Sequence, residues 1–306
     1  MSIGTELIVR PLRPEDLETV YELIARAERH DVGEVDIDRE DLLTDWALPG
    51  MDMSRDTVGV FSGPELVAVA ELTLKHRAEV FVAPQARGRG IGTWLREWTE
   101  RRAAEKGWAL VAQVVPDQKT DARDLLVAAG YRVRHTAWIL RIDHDTEPPQ
   151  PQLPDGIAIR TYRPEDEQVV YRLFEHAFNE WPGREPQPFD EWAAITTRRP
   201  DFRPELFALA VDGDEIVGGA MSLDVSGEGW IDKVAVKATH RNRGIARALL
   251  QHSFRDAWHR GHRVSGLSTD SRTGALTLYE RVGMSVRRSF ASYAKDVGDD
   301  AKNGLA

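Results

Sequence analysis

The sequence contains no cysteine. Disulfides, thiolate metal sites and a cysteine nucleophile are therefore excluded, and nothing argues for an oxidising compartment. Long apolar runs are also missing. No stretch of the 306 residues approaches the roughly 20 that a membrane-spanning helix needs, so no membrane partner is expected. The opening MSIGTELIVRPLRPEDLE brings acids early and has no apolar signal core, so the expectation is no export signal and a cytoplasmic location. Net positive charge is lacking as well. With 40 Lys+Arg against 50 Asp+Glu, the formal charge of −10 argues against general nucleic-acid binding, which needs a basic footprint. What is present fits a soluble globular chain: 42% hydrophobic and 29% charged residues, in about twice the length of a typical domain.

The chain repeats itself. Val9-Arg10-Pro11-Leu12-Arg13-Pro14-Glu15-Asp16 returns 150 residues later as Ile159-Arg160-Thr161-Tyr162-Arg163-Pro164-Glu165-Asp166. Arg87-Gly88-Arg89-Gly90-Ile91 returns 154 residues later as Arg241-Asn242-Arg243-Gly244-Ile245. A nearly constant offset across the chain implies two tandem copies of one domain, 1–147 and 154–297. Between them His144 to Pro154 carries four prolines, which reads as a semi-rigid linker.

Each copy has the same pattern. In the second, a strand over Ile157–Tyr162 precedes an amphipathic helix with Val169, Val170, Leu173, Phe174 and Ala177 on one side. Strands follow over Leu206–Val211 and Ile216–Leu223, joined by the hairpin turn Asp212-Gly213-Asp214. Next come a strand over Gly229–Val236, a helix over Ile245–Arg260, a strand over Val264–Thr269, a helix ending at Gly283 and a final hairpin. This is an α/β class with a mixed sheet flanked by helices, not an alternating doubly wound one.

The stretch that carries chemistry runs from Val234, Ala235 and Val236 through Arg241, Asn242, Arg243, Gly244, Ile245, Ala246 and Arg247. A strand ends, a basic glycine-containing turn follows and a helix starts. Open N–H groups and the dipole at a helix start attract an anion, and glycine lets the backbone approach it. Arg241, Arg243 and Arg247 would add charge-assisted contacts, and the ligand suggested is a pyrophosphate. The first copy repeats this as Val80, Phe81, Val82, then Arg87, Gly88, Arg89, Gly90, Ile91, Gly92 and Thr93. An ordinary Gly/Arg turn is the competing account of either copy alone, but not of both together.

On these residues the chain resembles the GCN5-related N-acetyltransferases. Their acetyl-CoA motif, Arg/Gln-x-x-Gly-x-Gly/Ala after a strand, is matched by Arg241, Gly244 and Ala246 and by Arg87, Gly90 and Gly92. Leu278-Tyr279-Glu280-Arg281-Val282-Gly283-Met284 matches a second family feature. The tandem arrangement resembles family members with two such domains, one of them silent. The resemblance implies direct attack of an amine on the thioester of acetyl-CoA, with splayed central strands holding the pantetheine arm. It implies no metal. Tyr279 would be the acid at the leaving sulfur. Asp232, four residues before Val236, is the candidate base, with a simple ion pair to Lys233 as the competing role. The family's asparagine seven residues before the tyrosine is Arg272 here, which puts that contact in doubt.

The first copy has Leu126 where the tyrosine should be and Ala78 opposite Asp232, with His76 at the other base position. It is expected to keep the phosphate turn without the acid. Glu180 and Trp181, in Phe178-Asn179-Glu180-Trp181-Pro182, and Phe189-Asp190-Glu191-Trp192 alternate acids with aromatics. Such a wall suits an amine-bearing small molecule, while helices simply covering the sheet would look the same. The expectation is an N-acetyltransferase for a small primary amine, acting as a monomer or homodimer. A cysteinyl-sugar amine as acceptor, or a CoA-binding regulatory module without turnover, stay open beside it.

Overall fold

The computed structural model describes residues 6–35, 37–48, 50–73, 76–182, 184–225 and 227–298. The chain forms two compact units, Met1–Thr136 with Phe290–Ala306, and Ala137–Ser289. In chain order the elements are β1 (Leu7–Arg10), α1 (Leu17–Val32), α2 (Arg39–Trp46), α3 (Met53–Asp56), β2 (Thr57–Ser62), β3 (Glu65–Thr73), β4 (Arg77–Val82), α4 (Ile91–Glu105), β5 (Leu110–Pro116), α5 (Thr120–Ala128) and β6 (Arg132–Asp143). Then follow β7 (Ile157–Thr161), α6 (Glu167–Phe178), α7 (Phe189–Ala194), β8 (Phe207–Asp212), β9 (Glu215–Val225), β10 (Glu228–Val236), α8 (Ile245–His259), β11 (Val264–Asp270), α9 (Leu276–Arg281) and β12 (Ser285–Asp296). Each unit is a mixed sheet flanked by helices.

In the first unit β1 to β4 are antiparallel neighbours, β4 meets β5 in parallel at Arg77↔Ala112, and β5 pairs antiparallel with Phe290–Asp296 of β12. In the second, β7 to β10 are antiparallel, β10 meets β11 in parallel, and β11 pairs antiparallel with Ala137–Asp143 of β6. Each sheet is thus completed by the closing strand of the other repeat. The sequence repeats, 1–147 and 154–297, and the compact units do not coincide. In place of the expected final hairpin stands one long strand, β12.

Helix α6 buries Val170, Leu173, Phe174 and Ala177, the i, i+3, i+4, i+7 face of an amphipathic helix. Val169, expected on that face, is 39% exposed. Helix α8 buries Ile245, Leu249, Leu250, Phe254 and Ala257 against the sheet. Gly229 on β10 allows this helix to come close, because a Cβ there would stand 2.4 Å from that of Ala257. The proline-rich segment is not a free spacer in its first half. The His144 amide donates to the Arg263 carbonyl at 2.8 Å, its ring lies 3.0 Å from Ser265 Oγ, and Arg255 donates to the Pro148 carbonyl at 2.6 Å.

The first unit buries a carboxyl that sequence patterning did not reveal. Glu71 on β3 faces Glu79 on β4, accepts from the Trp46 indole at 2.8 Å, and shares its surroundings with Asp45 and Arg77. Burial pushes the Glu71 carboxyl up to about 7, against the Trp46 bond and with help from Glu79 and Asp45. The folded state therefore holds this proton more tightly than the unfolded chain. The stabilisation is fully present below the unfolded value and is lost as pH rises through the folded one. A shift of that size is worth on the order of 3 kcal/mol. Glu71→Gln keeps an acceptor for Trp46 and removes the titration. Its unfolding midpoint should exceed that of the parent at pH 8 and match it near pH 4. Equal destabilisation at both values in thermal unfolding would refute this account.

Candidate functional site

Both repeats build the same turn. In the second unit, Val234, Ala235 and Val236 end β10, a 3-10 turn follows over Ala238–His240, and Arg241 to Arg247 lead into α8. Asn242 and Gly244 take left-handed φ values of 61° and 88°. In the first unit Val80, Phe81 and Val82 end β4, and Arg87 to Thr93 lead into α4, with Gly88 and Gly90 at 73° and 79°. Only glycine, and to a lesser degree asparagine, adopts such angles at little cost. The N-cap glycines, Gly90 and Gly244, carry no side-chain cap, so the first-turn N–H groups of Ile91, Gly92 and Thr93 and of Ile245, Ala246 and Arg247 point outward as donors. A Cβ built on Gly244 or Gly90 meets nothing within 4 Å, so both turns are open to an approaching anion. Arg89, Arg243 and Arg247 are exposed beside them.

The leading arginines do something else. Arg241 donates through Nε to the Val236 carbonyl at 3.0 Å and through Nη1 and Nη2 to Glu180 at 2.5 and 3.1 Å. Arg87 donates through Nε to the Val82 carbonyl at 3.2 Å and through its Nη atoms to Asp31 at 2.6 and 2.8 Å. Lys119 joins Asp31 at 3.1 Å. Burial alone would push the Asp31 carboxyl up, but Arg87, Lys119 and His30 together hold it at about 2. The Arg241 bond likewise lowers the Glu180 carboxyl. Asp31 was missed in the sequence because it is one of many helix-end acids. Its spacing of 149 from Glu180, almost the repeat offset, is the signal that could have found it.

The second unit has a strand divergence. β10 and β11 pair only at Gly229↔Ser265, Trp230↔Gly266 and Ile231↔Leu267. β10 continues beside β9 through Lys233↔Met221 to Val236↔Gly218, with a bulge between Ile231 and Lys233. Asp232 is the bulged residue, and its carboxylate is paired with Lys233. Beyond it, one backbone edge of Val234, Ala235 and Val236 has left its parallel neighbour. β4, by contrast, pairs with β3 from Arg77 to Val82 without a bulge.

Tyr279 on α9 sits in the cluster of Leu140, Ile231, Leu250, Phe254, Leu267 and Met284. Val234 packs against that cluster and also against the one holding Ile245 and Leu249. It therefore touches both the cluster that includes Tyr279 and the one that includes Ile245 at the start of α8. Burial pushes the Tyr279 hydroxyl up to about 12, against a hydrogen bond with Thr269. Arg272, at the family's asparagine position, is tied to Asp270 at 2.6 Å. In the first unit the counterparts Leu126 and Ala78 are both buried, and His76, with φ of 64°, packs edge-on to Trp108.

The expected acceptor wall is altered. Glu180 is engaged by Arg241 rather than free for an ammonium, Trp181 stacks on Phe178 at 4.5 Å, and Trp192 is fully buried. Among the described residues no cluster of three or more His, Asp or Glu suits a metal ion, and no helix is long and apolar enough to cross a membrane.

Known proteins resemble this chain over most of its length. The model of the acetyltransferase (GNAT) family matches residues 17–131 and again 168–284. A mycothiol acetyltransferase of Amycolatopsis mediterranei is 28% identical over 81% of this chain and 87% of its own. A GCN5-related N-acetyltransferase from Sphaerobacter thermophilus superposes with a TM-score of 0.83 at 34% identity, covering 97% of this chain and 98% of that one. A tandem GNAT protein from the clavulanic acid biosynthesis pathway shares the fold, with a TM-score of 0.76 at 16% identity over 96% of this chain and 99% of its own. With two matched regions in the folds and turns described above, the chain belongs to the GNAT acetyltransferase family, acetyl-CoA-dependent acyltransferases, in tandem form.

Proposed function

We propose that this protein transfers acetyl from acetyl-CoA to a primary amine of a small molecule, and that the second unit does so. The reading is supported by the departure of β10 from β11 after Ile231, ahead of the uncapped start of α8, and by the buried Tyr279 where the first unit has Leu126. Acetyl-CoA supplies an activated thioester. The α8 N–H groups with Arg243 and Arg247 suit its pyrophosphate, and the free backbone edge of Val234 to Val236 suits an extended amide-bearing arm.

Proton movements decide what the side chains must do. An alkyl ammonium of pKa about 10.4 costs about 4.6 kcal/mol to deprotonate at pH 7. A leaving thiol of pKa about 8.5 needs only about 2 kcal/mol of help. Asp232, at the bulge where the strands part, is the proposed base, and Lys233 competes for its carboxylate. Tyr279 keeps its proton at neutral pH. With the phenol at about 12, complete transfer to a thiolate is uphill by about 5 kcal/mol. Its proposed role is thus to donate a hydrogen bond that strengthens as the sulfur gains charge.

The names of the relatives favour an acceptor that is a cysteine-bearing sugar amine. The class proposed is a small primary amine, of which such a sugar amine is one example.

Tyr279→Phe should lower turnover about 10- to 1000-fold with little change in acetyl-CoA affinity. Thiol release over an amine panel measures the first and calorimetry the second. Unchanged turnover would move the donor elsewhere. Gly244→Glu should abolish acetyl-CoA binding in the second unit, because a carboxylate then stands where the anion belongs. Gly90→Glu should spare most turnover. If Gly90→Glu is the variant that silences the protein, the division of labour between the units is reversed.

A further inference from the structure

Arg241 and Arg87 open the two motifs that hold acetyl-CoA in this family, and both would be counted as phosphate ligands on charge alone. Their geometry speaks against it. In each, Nε is committed to the carbonyl of the last strand residue and both Nη atoms to a carboxylate from the end of the first long helix of the repeat. A planar guanidinium forked on a carboxylate is held in one orientation, and its charge is already neutralised.

The two forks differ in what surrounds them. Asp31 is only 7% exposed and Lys119 adds a second cation, so the first fork is a buried brace. In the second unit Arg241 and Glu180 are 37% and 42% exposed. A pair that open to water contributes little to stability. Its effect is on placement. Glu180 belongs to Phe178–Trp181, which is also tied to α6 by the Asn179 and Trp181 amides, bonded to Glu175 and Phe178 carbonyls at 2.9 and 3.0 Å.

We propose that Glu180 and Arg241 are a positioning pair for acetyl transfer. They tie the segment after α6 to the carbonyl end of β10, so that Trp181 and its neighbours form a fixed wall where the amine enters. Arg241 is then not a ligand of the phosphates. This rests on the reading of the second unit as the transferase site.

The test compares Glu180→Gln, Arg241→Gln and the exchanged pair Glu180→Arg with Arg241→Glu in the full chain. Acetyl-CoA affinity is measured by calorimetry. The KM of the panel amine that the parent turns over fastest is measured by thiol release, and the unfolding midpoint by thermal melt. Both single variants should raise the amine KM by a similar factor, about 5- to 20-fold. Acetyl-CoA affinity should move less than about threefold and the midpoint should stay in place. The exchanged pair should recover most of the loss. The proposal is overturned if Arg241→Gln weakens acetyl-CoA tenfold or more while Glu180→Gln leaves it unchanged or tightens it, since Arg241 would then be a phosphate ligand. It is equally overturned if the midpoint falls and the amine KM does not change. Failure of the parent to release thiol with any amine would instead sink the transferase reading, and calorimetry alone would still decide whether Arg241 touches the phosphates.

Discussion

β10 meets two demands at once. It must stay hydrogen-bonded to β9 as far as Val236, and it must leave β11 after Ile231. The bulge at Asp232 reconciles them, because an extra residue bends the strand away from one neighbour without breaking the ladder on the other side. Much follows from that one irregularity. Val234 to Val236 gain a backbone edge that needs a partner other than β11. The bent end feeds the turn into α8, and the close approach of Gly229 to Ala257 keeps the helix pressed on the strand that precedes it. The only side chain the bulge adds is the proposed base, so base and groove come from the same inserted residue.

The first unit parts the same two strands without that irregularity, since among the described residues β4 meets β5 at Arg77↔Ala112 alone. Its β4 runs beside β3 without a bulge, and its acid position is Leu126. The core beneath has changed in kind. Where the second unit buries Leu250, Phe254, Leu267 and Met284 around Tyr279, the corresponding positions in the first are Arg96, Glu100, Gln113 and Tyr131. Arg96 and Lys295 both reach Glu100, at 2.6 and 3.0 Å. This polar core differs in kind from the apolar one around Tyr279, and Leu126 stands where the phenol does in the second unit. The repeat has kept the fold's geometry and exchanged the side chains of this core.

The repeat, the mixed sheet and the two glycine turns were legible in the sequence because each rests on spacing between residues. The exchange of closing strands was not. The alternation of a strand tells which face is buried and says nothing about which of two similar sheets it joins, and β6 and β12 are each long enough to serve both. The docked linker escaped for a related reason. Prolines forbid helix and central strand, yet they leave His144 free to bond Ser265, 121 residues away. Glu180 was read as an acceptor ligand because acids beside aromatics suit an ammonium, and its bond to Arg241, 61 residues on, was not legible. Local pattern finds groups with the right chemistry. It does not tell which of them the fold has already used.

That last distinction bears on how the anion turn works. Once Arg241 and Arg87 are committed to Glu180 and Asp31, the charge left for an anion is modest. Arg243 and Arg247 in one unit and Arg89 in the other are exposed, Arg243 with Asp212 at 3.7 Å, and such contacts are screened by salt. The constant elements are the left-handed backbone at Gly90 and Gly244, the uncapped helix starts and their dipoles. Recognition built on backbone donors depends on the turn's shape more than on side-chain identity. This accounts for the preservation of both glycines across the two copies while one of the left-handed positions changed from Gly88 to Asn242. It also fits a first unit that keeps its turn while Leu126 stands at the counterpart of Tyr279. The fork that braces the turn and the N–H groups that would receive the anion are separate devices.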